Sequence, residues 1–296
     1  MEKQPLVTVF TPTYNRKKLL KRTYESMRKQ TNKDFIWLIV DDGSSDGTEE
    51  MVRSWMQDNN GFELQYLYKQ NGGMHTAHNT AYDNIHTVLN TCIDSDDLLA
   101  PDAIEIIYET WEIAKKYDCA GIVGLDADFT GKIIGCGYPV ENKCISFVDA
   151  SQNGVYGDKK LVYRTDIVNK YPRYPVYEGE KYGSLGYLYW LIDKDYPIFA
   201  INKVLCNVEY QPDGSSKNIW KQYYKNPKGY VFIRKFRLEQ KLSIKRCLME
   251  ATHYVSSSIL AKEKHIVKNS PKKTMTAFVF PLGVILCGLT IIKGKG

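Results

Sequence analysis

The feature that most constrains the fold is a change of hydrophobic period that recurs along the N-terminal half of the chain. Short apolar runs rich in β-branched and aromatic residues alternate with amphipathic ones, and Gly, Pro, Asn or Asp marks the junctions. "LVTVFTPTYN" is a buried strand ending in a Pro/Asn turn, and "RKKLLKRTYESMRKQ" puts Leu19, Leu20, Tyr24 and Met27 at helical spacing. "FIWLIVDD" runs into the polar loop "GSSDGT", and "TEEMVRSWMQD" follows with acids in its first turn, where the helix dipole favours them. "ELQYLYKQNGG" and "MHTAHNTAYDNIHTV" repeat the pair, as do "LNTCIDSDD" and "APDAIEIIYETWEIAKKY". This order implies an α/β fold, a parallel sheet with helices on both faces. Such sheets bind ligands beyond the carboxyl ends of their strands. Asp41, Asp42, Gly72, Gly73, Asp94 and Asp96 all fall at such ends, so one crevice can collect them.

"NTCIDSDDLLAPD" crowds Asp94, Asp96 and Asp97 together in a chain whose net charge is +6. Like charges at that spacing repel unless a cation lies among them. One of these acids can cap the next helix; capping hardly accounts for three. Carboxylates at a strand end hold Mg²⁺ or Mn²⁺ well once a diphosphate supplies further oxygens, and the metal then offsets charge building on a phosphate leaving group. On an extended backbone the Asp-Ser-Asp spacing would direct alternate side chains to one side. Turn chemistry at Gly43 and Gly47 leaves Asp41 and Asp42 available to a base or a ribose.

The remaining composition narrows the class. The net charge is too mild and dispersed for a dedicated nucleic-acid binder and suits anionic ligands or an anionic membrane surface. Tyrosine is abundant, at 22 residues, and serves both core packing and stacking on sugars or bases. Seven scattered cysteines without CxxC spacing argue against a zinc site or a disulfide framework and for a reducing compartment. "MEKQPLVTVF" lacks a signal-peptide apolar stretch, which places catalysis in the cytoplasm.

"VTVFTPTYNR", "VDDGSSDGT", the set Asn71, Gly72, Gly73, His75, Ala77 and Asn79, and "DSDD" before "PD" occur in an order and spacing that resembles glycosyltransferase family 2, over about residues 5 to 125. The resemblance implies a GT-A fold and a metal-dependent, inverting transfer from a nucleoside diphosphate sugar. Carried over position by position, it implies that Thr11, Pro12 and Tyr14 line the nucleotide pocket and that Asp41 and Asp42 reach uracil and ribose. Asp94 and Ser95 would face the ribose or sugar, Asp96 would bind Mn²⁺ or Mg²⁺, and His75 and Asn79 would lie near the diphosphate and ribose. Where relatives carry a basic residue, this chain has Met74.

An inverting displacement needs a base for the acceptor hydroxyl. "YPVYEGEKYGSLGYLYWLI" resembles the GEK segment of capsule-type relatives, as "NPKGY" at 226–230 resembles a later one. Relatives carry a further acid where this chain has Ser184, Leu185 and Gly186, which leaves Glu180, then Glu178, as candidate bases. The resemblance also suggests a lid in "EYQPDGSSKNIWKQYYKNPKGY", where Lys217, Trp220, Lys221 and Lys228 would cover the diphosphate and exclude water.

Beyond basic helical sequence, "TMTAFVFPLGVILCGLTII" is almost wholly apolar, with Lys272 and Lys273 before it and Lys293 and Lys295 after it. Its length nearly suffices for a span. Pro281, Gly283 and Gly288 should interrupt it, and two positive flanks favour both ends on the inner side, as in a re-entrant or in-plane anchor. The expected organisation is a GT-A domain over 1–235, with a nucleotide-sugar half to about 125 and an acceptor half over 126–235. A basic helical region over 236–296 follows, its apolar tail at about 274–292. The expected function is transfer of a sugar from a UDP-sugar to a lipid-linked glycan at the cytoplasmic face of a bacterial membrane, in surface or capsular polysaccharide assembly. A non-catalytic nucleotide-binding homologue is the main alternative. A sugar nucleotidyltransferase is less favoured, because "TPTYNRKK" lacks the glycines of a phosphate-clasping loop.

Overall fold

The structure is a computed structural model and describes residues 4–209 and 218–295. It comprises two compact units, Met1–Arg173 with Leu188–Tyr210, and Tyr174–Tyr187 with Gln211–Gly296. Residue 235, the expected boundary, lies within the second unit.

The first unit is built on one nine-stranded sheet. Strands β1 (Val7–Thr13), β2 (Phe35–Asp41), β3 (Glu63–Tyr68) and β4 (Leu89–Cys92) are mutually parallel in the order β3-β2-β1-β4. They alternate with helices α1 (Lys17–Arg28), α2 (Thr48–Trp55) and α3 (Met74–Asn84), as the hydrophobic period predicts. After a short β5 (Leu98–Leu99) comes α4 (Ala103–Ala114). The sheet then becomes mixed. Strand β6 (Gly121–Ala127) is followed by β7 (Lys143–Ile145), α5 (Phe147–Gln152), β8 (Lys159–Arg164), α6 (Thr165–Val168), α7 (Gly186–Asp195) and β9 (Ile198–Asn207). β8 runs antiparallel between β4 and β6, while β9 lies parallel to β6.

Every residue of β1 and β2 is buried, as expected of central strands covered on both faces. On α1, Leu20, Tyr24 and Met27 are buried, and Leu19 only partly so. Tyr24 stacks on Trp55 at 4.2 Å between centroids and donates its hydroxyl to Asp58 and Asn60, so this tyrosine belongs to the core.

The second unit is helical: α8 (Ile219–Lys225), α9 (Pro227–Leu238), α10 (Ile244–Leu260) and α11 (Lys273–Lys295). Pro227 opens α9 in the first-turn position that tolerates its missing N–H. Ser243 caps α10, its hydroxyl accepting from the Arg246 amide. A buried ion pair, Arg234 Nη1 to Glu250 Oε2 at 2.7 Å, ties α9 to α10. Against expectation, α11 runs unbroken through Pro281, Gly283 and Gly288. Packing explains this. A Cβ on Gly283 would lie 2.4 Å from Cβ of Val255, so the glycine permits close approach to α10 and does not end the helix. Pro281 faces outward, and its cost is confined to one helical turn.

Candidate active site

The parallel register brings three strand ends level. Thr13 pairs with Asp41, and Asp41 with Tyr68. The loops beyond them are bonded to one another. Asn15 adopts a left-handed φ of 51°, which its short amide side chain tolerates. Its Oδ1 accepts from the Ser45 amide and its own N–H donates to Ser44 Oγ, each at 2.8 Å. The Lys17 amide donates to Asp46 at 3.0 Å, completing the join between the β1–α1 and β2–α2 loops.

Asp42 holds the next loop. It accepts from Lys69 Nζ at 2.6 Å and from the amides of Gly72 at 2.9 Å and Gly73 at 2.7 Å. Gly73 sits at φ 94°, ψ 161°, open essentially to glycine alone, immediately before α3. Asp41 accepts from the Ser44 amide and the Tyr66 hydroxyl, both at 2.7 Å. Both carboxylates therefore hold the loops that follow the carboxyl ends of β2 and β3.

The acids of "DSDD" correct one expectation: they do not lie on extended backbone. The Asp97 amide donates to the Asp94 carbonyl at 3.1 Å, closing a turn between β4 and β5. Asp94 and Asp96 are half-buried, whereas Ser95 is buried and its carbonyl accepts from Thr23. Asp96 pairs with Arg16 at 3.8 Å, which links the β1–α1 loop to the acidic turn. Burial pushes the Asp97 carboxyl up to about 7, with the charges of Asp94, Asp96 and Asp126 adding to the shift and Lys160 opposing it. Among the described residues, no group of three or more His, Cys, Asp or Glu has the arrangement of a metal site. One or two carboxylates plus phosphate oxygens is the usual way Mg²⁺ is bound at nucleotide sites, so the donor set of Asp94 and Asp96 fits a cation shared with a diphosphate.

The other predicted residues are distributed as follows. Thr11 is fully buried and accepts from Trp37 Nε1 at 2.9 Å, so its side chain is part of the sheet's packing. Pro12 is buried in β1, and Tyr14 beyond it is 47% exposed. His75 is buried in the first turn of α3, its Nδ1 without a hydrogen-bond partner, and burial lowers its pKa. Asn79 is half-buried one turn later. His78 is structural: it lies edge-on to Phe10 at 5.0 Å and burial lowers its pKa to about 3.

In the second unit, Glu180 is a helix cap. Its two oxygens accept from the first amides of α9, Lys228 at 2.9 Å and Gly229 at 2.8 Å. The reciprocal bond runs from the Lys181 amide to Asn226 Oδ1 at 2.8 Å. A Cβ on Gly229 would meet the Tyr182 carbonyl at 2.5 Å, so the glycine of "NPKGY" makes room for the "GEK" strand of chain. Glu178 is exposed. Lys217 lies outside the described residues. Trp220 and Lys221 belong to α8, where the Trp220 ring lies beneath Lys293 Nζ at 4.7 Å.

Sequence reasoning missed Lys160, Asp126 and the pairing role of Arg16. Lys160, on β8, donates to the Cys92 carbonyl at 3.2 Å below the acidic turn. Burial works against its charge, but Asp126, Asp97 and neighbouring thiols hold its pKa well above the ordinary value. Asp126 on β6 is buried, and its Oδ1 has no hydrogen-bond partner. Only the antiparallel return of β8 brings these groups to the end of β4, and no local spacing reports that. Arg16 stood in view at the end of "TPTYNR".

The sequence model of glycosyl transferase family 2 matches residues 8–169. A chondroitin synthase of Escherichia coli is 30% identical over 138 residues, 47% of this chain and 20% of that protein. A Bacillus subtilis protein named for teichuronic acid biosynthesis, glycosyltransferase TuaG, is 24% identical over 227 residues, 74% of this chain and 84% of its own. Thus the chain spans about a fifth of the synthase, but most of the length of TuaG. Among solved structures, Staphylococcus aureus TarS 1-349 in complex with UDP-GlcNAc superposes with a TM-score of 0.64 at 15% identity, covering 97% of this chain and 81% of that one. The mannosyltransferase PcManGT of Pyrobaculum calidifontis, in complex with GDP-Man and Mn²⁺, gives 0.57 at 15% identity, covering 99% and 88%.

Proposed function

The chain belongs to glycosyl transferase family 2, and on that premise we propose that it is an inverting, metal-dependent glycosyltransferase. It moves a sugar from a UDP-sugar to a hydroxyl of a lipid-linked glycan at the inner face of a bacterial membrane, in surface or capsular polysaccharide synthesis. The observation that carries the reading is the bonded set of loops at the carboxyl ends of β1 to β4, in which Asp42 holds the Gly72–Gly73 loop and Arg16 pairs with Asp96. The UDP-GlcNAc held by TarS, the Mn²⁺ held by PcManGT and the polysaccharide names of the sequence relatives support it.

In this reading the exposed ring of Tyr14 stacks on the uracil. Asp41 and Asp42 fix the loops that receive the nucleoside and offer their remaining acceptor capacity to uracil and ribose. Mn²⁺ or Mg²⁺, held by Asp96 and Asp94 with diphosphate oxygens, would supply positive charge at the leaving group. Arg16 adds a second cation beside Asp96, and His75 and Asn79 flank the diphosphate and ribose. The acceptor oxygen forms its bond to the anomeric carbon as the bond from that carbon to the diphosphate breaks, and a carboxylate takes the hydroxyl proton. Of the two predicted bases we assign that part to Glu178, because both oxygens of Glu180 hold the α9 amides.

Titration of UDP into the full chain with and without Mn²⁺, beside Asp96→Asn, tests the donor site. Metal-dependent binding that weakens at least about tenfold in the variant is expected, since a charged ligand to the cation is lost. Metal-independent binding, equal in the variant, would overturn the role of Asp96. Retained metal-dependent binding without transfer from any UDP-sugar would favour the non-catalytic alternative.

A further inference from the structure

We infer that the outer face of α11 is a bilayer-docking surface on which the second unit lies flat, with α11 parallel to an anionic membrane. This deepens the membrane side of the proposed function and rests on it only for the location of the acceptor.

The helix has two faces of different character. Thr276, Val279, Gly283, Cys287, Thr290 and Gly294 are buried at helical spacing. The opposite arc carries Phe278, Leu282, Ile285, Leu289 and Ile292, exposed by 77%, 56%, 61%, 42% and 74%. From Ala277 to Ile292 the exposed positions include no charged or polar side chain. A water-facing helix surface normally alternates with charge, so an apolar arc of this length implies an apolar neighbour.

Length alone would allow α11 to cross a bilayer. Its attachments argue against that. Near its start, Thr276 Oγ1 bonds Ser270 Oγ at 2.6 Å. At mid-length, Gly283 lies against Val255 of α10. At its end, a Cβ on Gly294 would lie 2.5 Å from Cβ of Tyr224, and Lys293 covers Trp220 of α8. A spanning α11 would either leave these partners or draw α10 into hydrocarbon along with Lys245, Arg246 and the buried Arg234–Glu250 pair. Lying flat, the helix keeps every contact and buries only its apolar arc.

Charge selects the occupant. Between Lys264 and Gly296 there is no acidic residue, and Lys268, Lys272, Lys273, Lys293 and Lys295 are exposed at or near the ends of the helix. A second copy of this face would set lysine against lysine in either orientation. Anionic headgroups would complement both ends at once.

The test uses the full chain and vesicles of phosphatidylcholine with or without phosphatidylglycerol. Phe278→Cys, Ile285→Cys and Ile292→Cys each carry an environment-sensitive fluorophore, with labelling of the unsubstituted chain subtracted, and depth is read with lipid-borne quenchers. Equal shallow depths at the three positions are expected. Vesicle flotation should show binding that needs phosphatidylglycerol, falls about fivefold for each of Lys272, Lys273, Lys293 and Lys295 changed to Gln, and falls at least about tenfold in Leu282→Ser/Ile285→Ser. Depths graded from 278 to 292 would overturn the proposal in favour of a span. Dimers that shield the labels, or vesicle binding unchanged in the double variant, would overturn it as well. UDP titration of the same samples separates the two readings. Lost UDP binding with intact docking counts only against the donor site, and the reverse only against the docking face.

Discussion

Replacing Glu180 separates a cap from a base. In Glu180→Ala the Lys228 amide is exposed and finds water, whereas the Gly229 amide is half-shielded and does not fully recover a partner. Losing a cap costs about 1 kcal/mol. Removing an anion from a helix N-terminus costs about 0.5 kcal/mol more, and the under-satisfied Gly229 amide adds about 1 kcal/mol. The sum is about 2 to 2.5 kcal/mol. Glu180→Gln keeps one acceptor oxygen and should lose about 1 kcal/mol. On the scaling for chains of this size, the alanine variant should melt about 3–4 °C lower and the glutamine variant about half that. Calorimetry or urea unfolding reads the loss, and turnover below the melting transition reads the chemistry. A cap predicts that kcat changes by less than about threefold in Glu180→Gln, while Glu178→Gln loses the hundredfold or more that removal of a general base costs. A fall of that size in Glu180→Gln, with the melting temperature unmoved, would refute the cap and restore Glu180 as the base.

Lys160→Met removes the cation beneath the acidic turn and leaves Asp126 and Asp97 buried without it; a loss of about 3 kcal/mol in urea unfolding is expected, and a loss under about 1 kcal/mol would show that other groups balance these acids. Gly229→Ala should destabilise the second unit by about 1–3 kcal/mol, because the new methyl meets the Tyr182 carbonyl, and a neutral result would mean that the two segments part easily. His78 is held neutral in the fold with a pKa of about 3, below the ordinary 6.5. Its unfolded form binds the extra proton first, so stability is full above about pH 6.5 and falls as pH drops toward 3. His78→Asn should flatten that slope, and an unchanged slope would assign it to other groups.

The parallel half of the sheet was legible because β1 to β4 and their helices each carry a period of their own, and a strand–helix repeat admits few topologies. The acids of the crevice were legible for the same reason: the ends of parallel strands are places that sequence order identifies. β6, β7 and β8 were not legible. "KKLVYR" draws no strand assignment, because its lysines mask the short apolar run, yet β8 lies between β4 and β6 with Lys160 donating to the Cys92 carbonyl. The paired motifs "GEK" and "NPKGY" were recognised together, but as chemistry. Sequence shows that a residue can titrate and not which amides lack an acceptor, so a carboxylate that completes a helix looks like one that takes a proton. The proline and glycines of α11 misled similarly, since their meaning depends on what Val255 brings against them.

The interleaving of the two units has a consequence during synthesis. Residues 174–187 emerge from the ribosome before β9, which completes the sheet, and Glu180 emerges 49 residues before Gly229, whose amide it accepts from. The nascent chain must therefore hold a Tyr-rich segment without its partner while the remaining strand of the sheet is still being made. At about 5–20 residues per second that interval lasts several seconds, long for a stretch bearing Tyr174, Tyr177, Tyr182 and Tyr187. Chaperone demand and yield on expression should respond to this window, and a slower ribosome between codons 188 and 229 should lower yield more than the same delay placed within the first four strands.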